Sequence, residues 1–157
     1  MFAVPHDLDK IDLKILRELS ADGRLSWRDL AERIGLSLTP TLRRVHRLEE
    51  QGYIRGYFAH LDERKLIGGL TVFISVTLEN QSEAAIQRFE KEIVVAPEVM
   101  SCFTMTGDAD FILRVVVPDL DSYQSFLSKT LTRIPGVEHI RSSFALKTIL
   151  NRTSPML

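Results

Sequence analysis

Three arginines lie close together in the sequence TPTLRRVHRLEE: Arg43, Arg44 and Arg47. A guanidinium group donates paired hydrogen bonds to guanine, and it also binds the phosphates of a nucleic-acid backbone. In a helix, with 100° per residue, these arginines lie opposite or beside the apolar face. The apolar residues of that face recur at every third position: Leu42, Val45 and Leu48.

Two helix patterns separated by Gly35 position these arginines. The first begins at Ser26, with Asp29 three residues later in a capping-box arrangement. For the second, we predict Thr39 as the N-cap and Pro40 at the first helical position. Such a pair fits a DNA major groove, although a basic helix is more often only a solvated surface. The candidate DNA contacts are Pro40, Thr41, Arg43, Arg44 and Arg47.

The flanking segments complete a small helical domain. A preceding helix is predicted from Asp9, with Asp12 in its first turn and Gly23 in a left-handed position at its end. Trp27 is interpreted as an edge anchor of this domain. The residues after Gly52 are predicted to be extended and to form a small strand or wing.

The second half predicts the order strand, helix, strand, strand, helix, strand. Ser82 and Asp119 are the predicted helix caps, and the segment GDAD after Thr106 is the predicted hairpin turn. This order is the ferredoxin-like βαββαβ arrangement, with both helices on one face of an antiparallel sheet. The expected strands are 70–79, 99–106, 111–117 and 140–150.

The other face of this sheet is predicted to be partly apolar, which favours self-association. Cys102 is interpreted as a buried small hydrophobic residue rather than a redox sensor. The residues expected on the uncovered face are Phe73, Met100, Cys102, Ile112 and Val116.

Composition narrows the classes of protein. Residues 1–60 contain 10 Lys and Arg against 9 Asp and Glu, and residues 61–157 contain 10 against 12. DNA affinity must therefore come from a local patch. The single cysteine excludes an internal disulfide and fits a reducing cytoplasm. No apolar run reaches membrane length, the N-terminal MFAVPHD is too short and polar for a signal peptide, and no histidine pair has zinc-ligand spacing.

We predict an α+β protein with four segments. Residues 1–60 form a winged helix–turn–helix domain, and residues 61–69, which contain Gly68-Gly69, form a hinge. Residues 70–150 form the ferredoxin-like domain, and residues 151–157 form a tail.

The whole pattern resembles the leucine-responsive/AsnC (feast/famine) family of transcription regulators. The resemblance covers residues 8–150 and is carried by several motifs in order. They are LDKIDLKIL, DGR, LAERIGLS, LRRVHRLEEQGYIRGY, TGDADFILRVVVPD and LTRIPGVEHIRSSFALK.

The resemblance implies an amino-acid effector at the turn between the second and third strands. An aspartate there would accept the ammonium group, and backbone N–H groups near the glycine would hold the carboxylate. The residues alone favour an ordinary polar hairpin turn, and they do not decide which aspartate binds. The candidate effector residues are Met105, Thr106, Gly107, Asp108 and Asp110.

The resemblance also implies a homodimer that assembles into a tetramer or octamer, binds pseudo-palindromic DNA and acts in the cytoplasm at the nucleoid. No cofactor, metal or membrane is expected. Two alternatives stay open at this point. One is a tetrapyrrole-processing enzyme of the same architecture, similar to sirohaem decarboxylases, and the other is a nucleoid-organising protein with little sequence preference.

Overall fold

The computed structural model describes residues 7–152 and 154–155, so part of the predicted tail lies outside the described residues. The chain divides into two compact units. One ends at His60 and also takes in the described residues from Leu150 onward, and the other is Leu61–Ile149. The described residues of the first unit form three helices: α1 (Lys10–Ala21), α2 (Trp27–Ile34) and α3 (Leu38–Glu50).

Helix α1 begins where the sequence predicts. The Asp9 side chain accepts hydrogen bonds from the backbone N–H groups of Ile11 and Asp12, and the Asp12 side chain accepts from the backbone of Asp9. This reciprocal capping box satisfies N–H groups that have no partner within the helix. Helix α2 begins at Ser26, whose hydroxyl accepts from the backbone N–H of Asp29, as predicted. Its reciprocal bond differs, because the Ser26 hydroxyl donates to the Asp29 carboxylate.

The predicted start of α3 and the predicted left-handed conformation of Gly23 are wrong, whereas α1 ends at Ala21 with Asp22 as its C-cap, close to the predicted end. Helix α3 has Ser37 as its N-cap, so Pro40 is the third helical residue rather than the first. The proline is tolerated because the first four N–H groups of a helix have no intrahelical acceptor. Gly23 is not among the glycines with positive φ, whereas Gly35 ends α2 in the left-handed region with φ 77°.

The three helices bury one apolar core. Each helix contributes from one stripe, and the small Ala31 also lies inside. The fully or nearly fully buried core residues are Ile15, Leu19, Leu30, Ile34, Val45 and Leu48.

The segment after α3 was predicted to be extended and to form a strand or wing, but no strand is formed there within the described residues. Tyr57 attaches it to the helices. Its hydroxyl donates to Glu49 Oε1 at 2.9 Å, and its ring meets Trp27 edge-to-face with centroids 6.2 Å apart. Trp27 thus lies at an edge of the unit, as predicted, with 37% of its surface exposed.

The second unit is built on a four-stranded antiparallel sheet with the order β2-β3-β1-β4. Its strands are β1 (Leu70–Leu78), β2 (Val99–Thr104), β3 (Phe111–Val117) and β4 (Val137–Phe144). Its helices are α4 (Glu63–Leu66), α5 (Glu83–Val94) and α6 (Leu120–Lys129), with a 3₁₀ turn at Leu131–Arg133. The predicted ferredoxin-like order is confirmed, but β4 begins and ends earlier than expected.

The alternation of β1 separates the two faces of the sheet. Val72, Ile74 and Val76 are fully buried beneath the helices, where Phe89 of α5 stacks on Phe111 with ring centroids 4.4 Å apart. The opposite face is called here the open face. It carries Phe73, Ser75 and Thr77 from β1, and the residues paired with them share this face. Those partners are Arg114, Ile112, Ser143, Arg141 and His139.

The predicted open face is wrong in strand β2. The register shifts between Val99 and Ser101, so Cys102 pairs with buried Leu113 and Phe103 pairs with Ile112. An irregularity of this kind reverses which side chains face the helices. Phe103 therefore lies on the open face, and Cys102 lies on the helix face.

Two further details of that prediction are also corrected. Cys102 is exposed rather than buried, because β2 is an edge strand. Val116 has only 5% of its surface exposed, so it contributes little to an apolar surface.

Residues 61–69, predicted as a hinge, contain α4 and are grouped with the second unit. The Arg114 guanidinium on β3 forms two-pronged hydrogen bonds with the Glu63 carboxylate, the shortest at 2.5 Å. A Cβ on Gly69 would lie 2.0 Å from the carbonyl oxygen of Val117, so only glycine permits this backbone approach.

Among the described helices, none is long and apolar enough to span a membrane.

Candidate nucleic-acid interface and ligand site

The outward face of α3 is polar and exposed. At 100° per residue, it lies opposite the buried side chains of Thr41, Val45 and Leu48. Among residues 7–152, no acidic side chain forms an ion pair with Arg43, so its guanidinium is available to a ligand. The exposed residues of this face are Thr39, Arg43, His46 and Glu50.

Arg44 and Arg47 have acidic partners on α1. Arg44 Nη1 donates to Asp9 Oδ2 at 2.7 Å and to Asp12 Oδ1 at 2.8 Å. Arg47 Nη2 donates to Asp12 Oδ2 at 2.5 Å. Asp12 has 1% of its surface exposed, so one buried carboxylate holds both arginines.

The contacts of this cluster shift the pKa values of Asp9 and Arg44. The pKa of Asp9 is lowered to about 2, because its carboxylate accepts the N–H of Asp12 and is bonded by Arg44. The hydrogen bond to Asp12, supported by the bond to Asp9, raises the pKa of Arg44. Both groups are therefore charged across the neutral range.

The predicted DNA contacts divide into three groups. Arg43 is exposed, and Pro40 is half-buried in the first turn of α3. Arg44 and Arg47 lie on the flank next to α1, with 23% and 43% of their side chains exposed. Thr41 is wrong as a contact, because it is fully buried and its hydroxyl donates to the Ser37 carbonyl at 2.9 Å.

Sequence reasoning gave two outward residues of α3 little weight. Thr39 is the predicted N-cap, but it lies inside the helix and is exposed. His46 is also exposed on this helix. The helical angle from buried Thr41 would have indicated both, had Thr41 been recognised as a core residue.

In the second unit, the turn between β2 and β3 uses one of its two aspartates for its own structure. The Asp110 carboxylate accepts from the backbone N–H of Leu78 at 2.7 Å and from Gln81 Nε2 at 2.6 Å. Its backbone N–H donates to the Val76 carbonyl, which ties the turn to β1. Asp110 therefore has a structural role, and its carboxylate is already occupied.

Asp108 lies at a concavity of about 630 Å³ beside the open face. Within the described residues, no hydrogen bond or ion pair to its carboxylate is found, while its backbone carbonyl accepts from the Thr77 hydroxyl at 3.3 Å. Arg141 lines the same concavity from β4 and lies opposite Ser75 in the register. The concavity is lined by Ser75, Thr77, Asp108, Ala109, Glu138, His139, Ile140 and Arg141.

The other predicted turn residues, Met105, Thr106 and Gly107, are exposed next to this concavity but do not line it. Sequence reasoning missed Arg141, because only the register of β4 against β1 brings it to the turn. A second, smaller concavity of about 370 Å³ lies elsewhere in this unit, with Glu92, Lys129 and Arg133 in its wall. In the part of the chain that the structure describes, no cluster of three or more potential ligands could hold a metal ion.

These features define a class: a helix–turn–helix protein with an exposed recognition helix, joined to a separate α+β unit that contains a polar concavity. Residues 8–55 match the description "Winged helix-turn-helix DNA-binding", and residues 71–155 match "Lrp/AsnC ligand binding domain". The chain belongs to the Lrp/AsnC family and is a DNA-binding transcriptional regulator.

Individual relatives agree with this assignment. The chain is 65% identical to the Bkd operon transcriptional regulator of Pseudomonas aeruginosa, over 96% of this chain and 99% of that protein. It is 41% identical to the leucine-responsive regulatory protein of Escherichia coli, over 91% and 87% of the two chains. Both relatives are named as regulators rather than enzymes, and neither name supports the tetrapyrrole or nucleoid alternatives.

Solved structures show the same fold. A transcriptional regulator from Neisseria meningitidis, determined as a complex with L-Met, has a TM-score of 0.89 and 39% identity, covering 95% of this chain and 96% of that one. An AsnC-family regulator from Agrobacterium tumefaciens has a TM-score of 0.89 and 38% identity, with 95% and 97% covered.

Proposed function

We propose that an amino acid bound at the turn between β2 and β3 controls DNA binding by α3. The observation that carries this proposal is the contrast between the two aspartates of the turn. Asp110 is bonded to Leu78 and Gln81, whereas the Asp108 carboxylate lines the concavity without a protein partner among the described residues. A carboxylate placed in this way can accept a charge-assisted hydrogen bond from an ammonium group.

The charges of the concavity match those of a free amino acid. Asp108 supplies a negative group for the ammonium, and Arg141 supplies a guanidinium for the carboxylate. Ser75 and Thr77 add hydroxyl groups that orient a polar ligand. The L-Met complex of the Neisseria regulator supports an amino acid as the ligand class.

For the DNA interface, we propose that α3 enters the major groove with Arg43 at its centre. Arg47 and Pro40 contribute from the flank of the helix, and Arg44 lies furthest towards α1. Thr39 and His46 add polar groups on the exposed face. The bkd operon is the first target to test, since the Pseudomonas relative carries that name.

We further propose that the protein works as a homodimer, with the open face of one sheet against that of a second copy, and that dimers assemble into tetramers or octamers. Phe73 and Phe103 are 40% and 59% exposed on this face, and Ile112 of β3 pairs with Phe103 on one side and with Ser75 on the other. Exposed aromatic area of this kind favours association. Two recognition helices related by a two-fold axis would read a pseudo-palindromic site. We place this activity in the bacterial cytoplasm, at the nucleoid.

The test of the ligand site is thermal unfolding of the purified protein with each of the twenty amino acids in turn. A ligand that binds only the folded state raises the midpoint temperature of unfolding. At a ligand concentration of one hundred times its Kd, the free energy of unfolding rises by about 2.7 kcal/mol. We expect one or a few amino acids to raise the midpoint of the wild type, and Asp108→Asn to abolish that rise.

The matched control is Glu92→Gln, which removes one negative charge from the smaller concavity of the same unit. It should respond to the amino acid as the wild type does. If Asp108→Asn responds normally, or if Glu92→Gln alone loses the response, the site is not at the turn.

The link between the two units is tested by binding in both directions. If the amino acid changes the affinity for DNA by some factor, DNA must change the affinity for the amino acid by the same factor. Titrating the amino acid with and without operator DNA measures this coupling. Equal affinities would show that the ligand does not control DNA binding.

A further inference from the structure

We propose that Asp12 on α1, outside the helix–turn–helix itself, is a positioning residue for DNA recognition. It fixes the orientation of Arg47 and Arg44 and reduces their attraction to phosphate, so that these arginines contribute selectivity rather than general affinity. This inference rests on the proposed role of α3 as the DNA-reading helix.

Three donor groups from the beginning of α1 and from α3 meet at one buried carboxylate. Asp12 Oδ1 accepts from Arg44 Nη1 and Oδ2 accepts from Arg47 Nη2, at 2.8 and 2.5 Å. Oδ2 also accepts the backbone N–H of Asp9 at 3.1 Å, so the capping box of α1 fixes the carboxylate. Asp12 thereby ties the beginning of α1 to the outer flank of α3.

The same contacts leave part of Arg47 available. Its side chain is 43% exposed, although one Nη group is engaged, and its Nε is buried without an acceptor among the described residues. A guanidinium held on one side has already lost rotamer freedom, so its outward N–H groups are pre-organised for a base edge. A buried partner of this kind fixes the geometry of a residue that contacts the ligand.

The charges of the cluster also balance. Asp9 and Asp12 lie against Arg44 and Arg47, so two of the three arginines of α3 already have anionic partners. An arginine that is paired within the protein releases fewer counterions on reaching a phosphate. In this arrangement, Arg43 supplies most of the attraction to the DNA backbone that α3 provides.

The competing explanation is that Asp12 only holds α1 against α3. Two readouts distinguish these explanations. A purely structural loss lowers the fraction of competent protein, which weakens binding to every DNA by the same factor. The ratio of specific to non-specific affinity and the salt dependence would then stay unchanged.

The experiment uses the full-length protein and two duplexes of equal length. One is the sequence that the wild type enriches from a random duplex library, and the other is a scrambled version of it. Affinities are measured for wild type and Asp12→Asn over a range of salt concentrations. The specificity ratio is the affinity for the enriched duplex divided by the affinity for the scrambled one. We expect Asp12→Asn to lower this ratio about tenfold, because arginines that are no longer held by Asp12 lose a contact with a base edge, and such a contact contributes about a factor of ten.

The salt dependence should change in the same variant. Freed arginines can reach phosphate, so the slope of log K against log salt should become steeper by about 1 to 2. Binding to the scrambled duplex should become tighter at low salt. An unchanged ratio together with an unchanged slope in a folded Asp12→Asn protein overturns the proposal.

Glu18→Gln is the matched control. Glu18 also lies on α1 and pairs with Arg33 of α2 at 2.9 Å, so this variant removes an equal charge and a helix–helix tie without touching α3. Its specificity ratio and slope should equal those of the wild type. If Glu18→Gln changes both as Asp12→Asn does, the effect belongs to charge and not to Asp12.

A second variant covers the case in which Asp12→Asn does not fold. Arg47→Gln keeps the Asp12–Arg44 pair, and we expect it to lower the specificity ratio by a similar factor. An unchanged ratio in Arg47→Gln removes Arg47 from base readout and overturns the inference. If the wild type enriches no sequence at all, the proposed function itself fails. This outcome is distinct from a failure of the inference about Asp12, which requires a wild type that does select a sequence.

Discussion

At the scale of single residues, Asp9 makes a pH-dependent contribution to stability. Its pKa is lowered to about 2 from an ordinary value of 3.8, so its contribution is complete above pH 4 and is lost as the pH falls towards 2. Because Asp9 is half-exposed, we expect the usual N-cap value of about 1 kcal/mol. Denaturant unfolding should show Asp9→Ala less stable by that amount at pH 6, with a gap that narrows below pH 4.

Asp9→Asn separates the two causes of this contribution. Asparagine also caps helices well, so it keeps the bonds to the backbone of Ile11 and Asp12 while it loses the charge that faces Arg44. At pH 6, the free energy of unfolding of Asp9→Asn should lie between those of the wild type and Asp9→Ala. A gap between wild type and Asp9→Ala that stays constant from pH 6 to pH 2.5 would contradict the assigned shift.

Residue roles were the least predictable part of the sequence. The caps Asp9, Ser26 and Ser82 depend on neighbours within three residues, so their positions could be recognised directly. Asp108 and Asp110 look alike in sequence, and only the distant Leu78 and Gln81 separate them. Long-range partners of this kind leave no local pattern.

At the scale of elements, the end of α2 depends on the backbone of Gly35. Its φ is 77°, and a Cβ there would meet nothing within 4 Å, so the cost of a side chain is conformational strain alone. We expect Gly35→Ala to lower the free energy of unfolding by about 1 to 2 kcal/mol. Denaturant unfolding at neutral pH measures this.

Gly23→Ala is the matched control for that variant. Gly23 is exposed and does not have positive φ, and an added Cβ would make an ordinary 3.7 Å contact with the Tyr57 ring. Its stability should be unchanged or raised by about 0.4 to 1 kcal/mol, since alanine restricts the unfolded chain. Equal losses in both variants would mean that left-handed geometry is not what Gly35 provides.

The elements themselves were predicted better than their boundaries. Apolar periodicity indicated α1 to α3 and the strands, because burial of one face produces a regular pattern. The start of α3 was wrong because Thr39 and Pro40 form a strong local cap signal, yet the helix begins at Leu38 after Ser37, whose side chain makes no cap bond. The face of β2 was wrong because a register shift at Met100 is invisible in a pattern of alternation.

At the scale of the whole molecule, the order of elements was enough to predict the ferredoxin-like topology. Four strands and two helices in this order have few arrangements that bury both helices on one sheet. The sequence did not reveal the concavity, which forms only when β4 aligns against β1 and brings Arg141 to the turn that carries Asp108. To predict a site that is assembled from distant strands, one must know the register in which the strands pair. To predict the fold, the order of helices and strands was enough.

The oligomeric state of the whole molecule depends on what covers the open face of the sheet. If a second copy covers the open face, the double variant Phe73→Thr and Phe103→Thr should weaken association, because both rings lose apolar area that the dimer would bury. Threonine favours strands, so the sheet itself should persist. Light scattering and sedimentation should show a wild-type dimer or larger assembly and a monomeric variant.

Leu120→Ser, at an exposed position on α6, is the control and should leave the mass unchanged. A double variant with the wild-type mass would place the interface elsewhere, and two-fold reading of a pseudo-palindromic site would then need a different surface to bring two copies of α3 together.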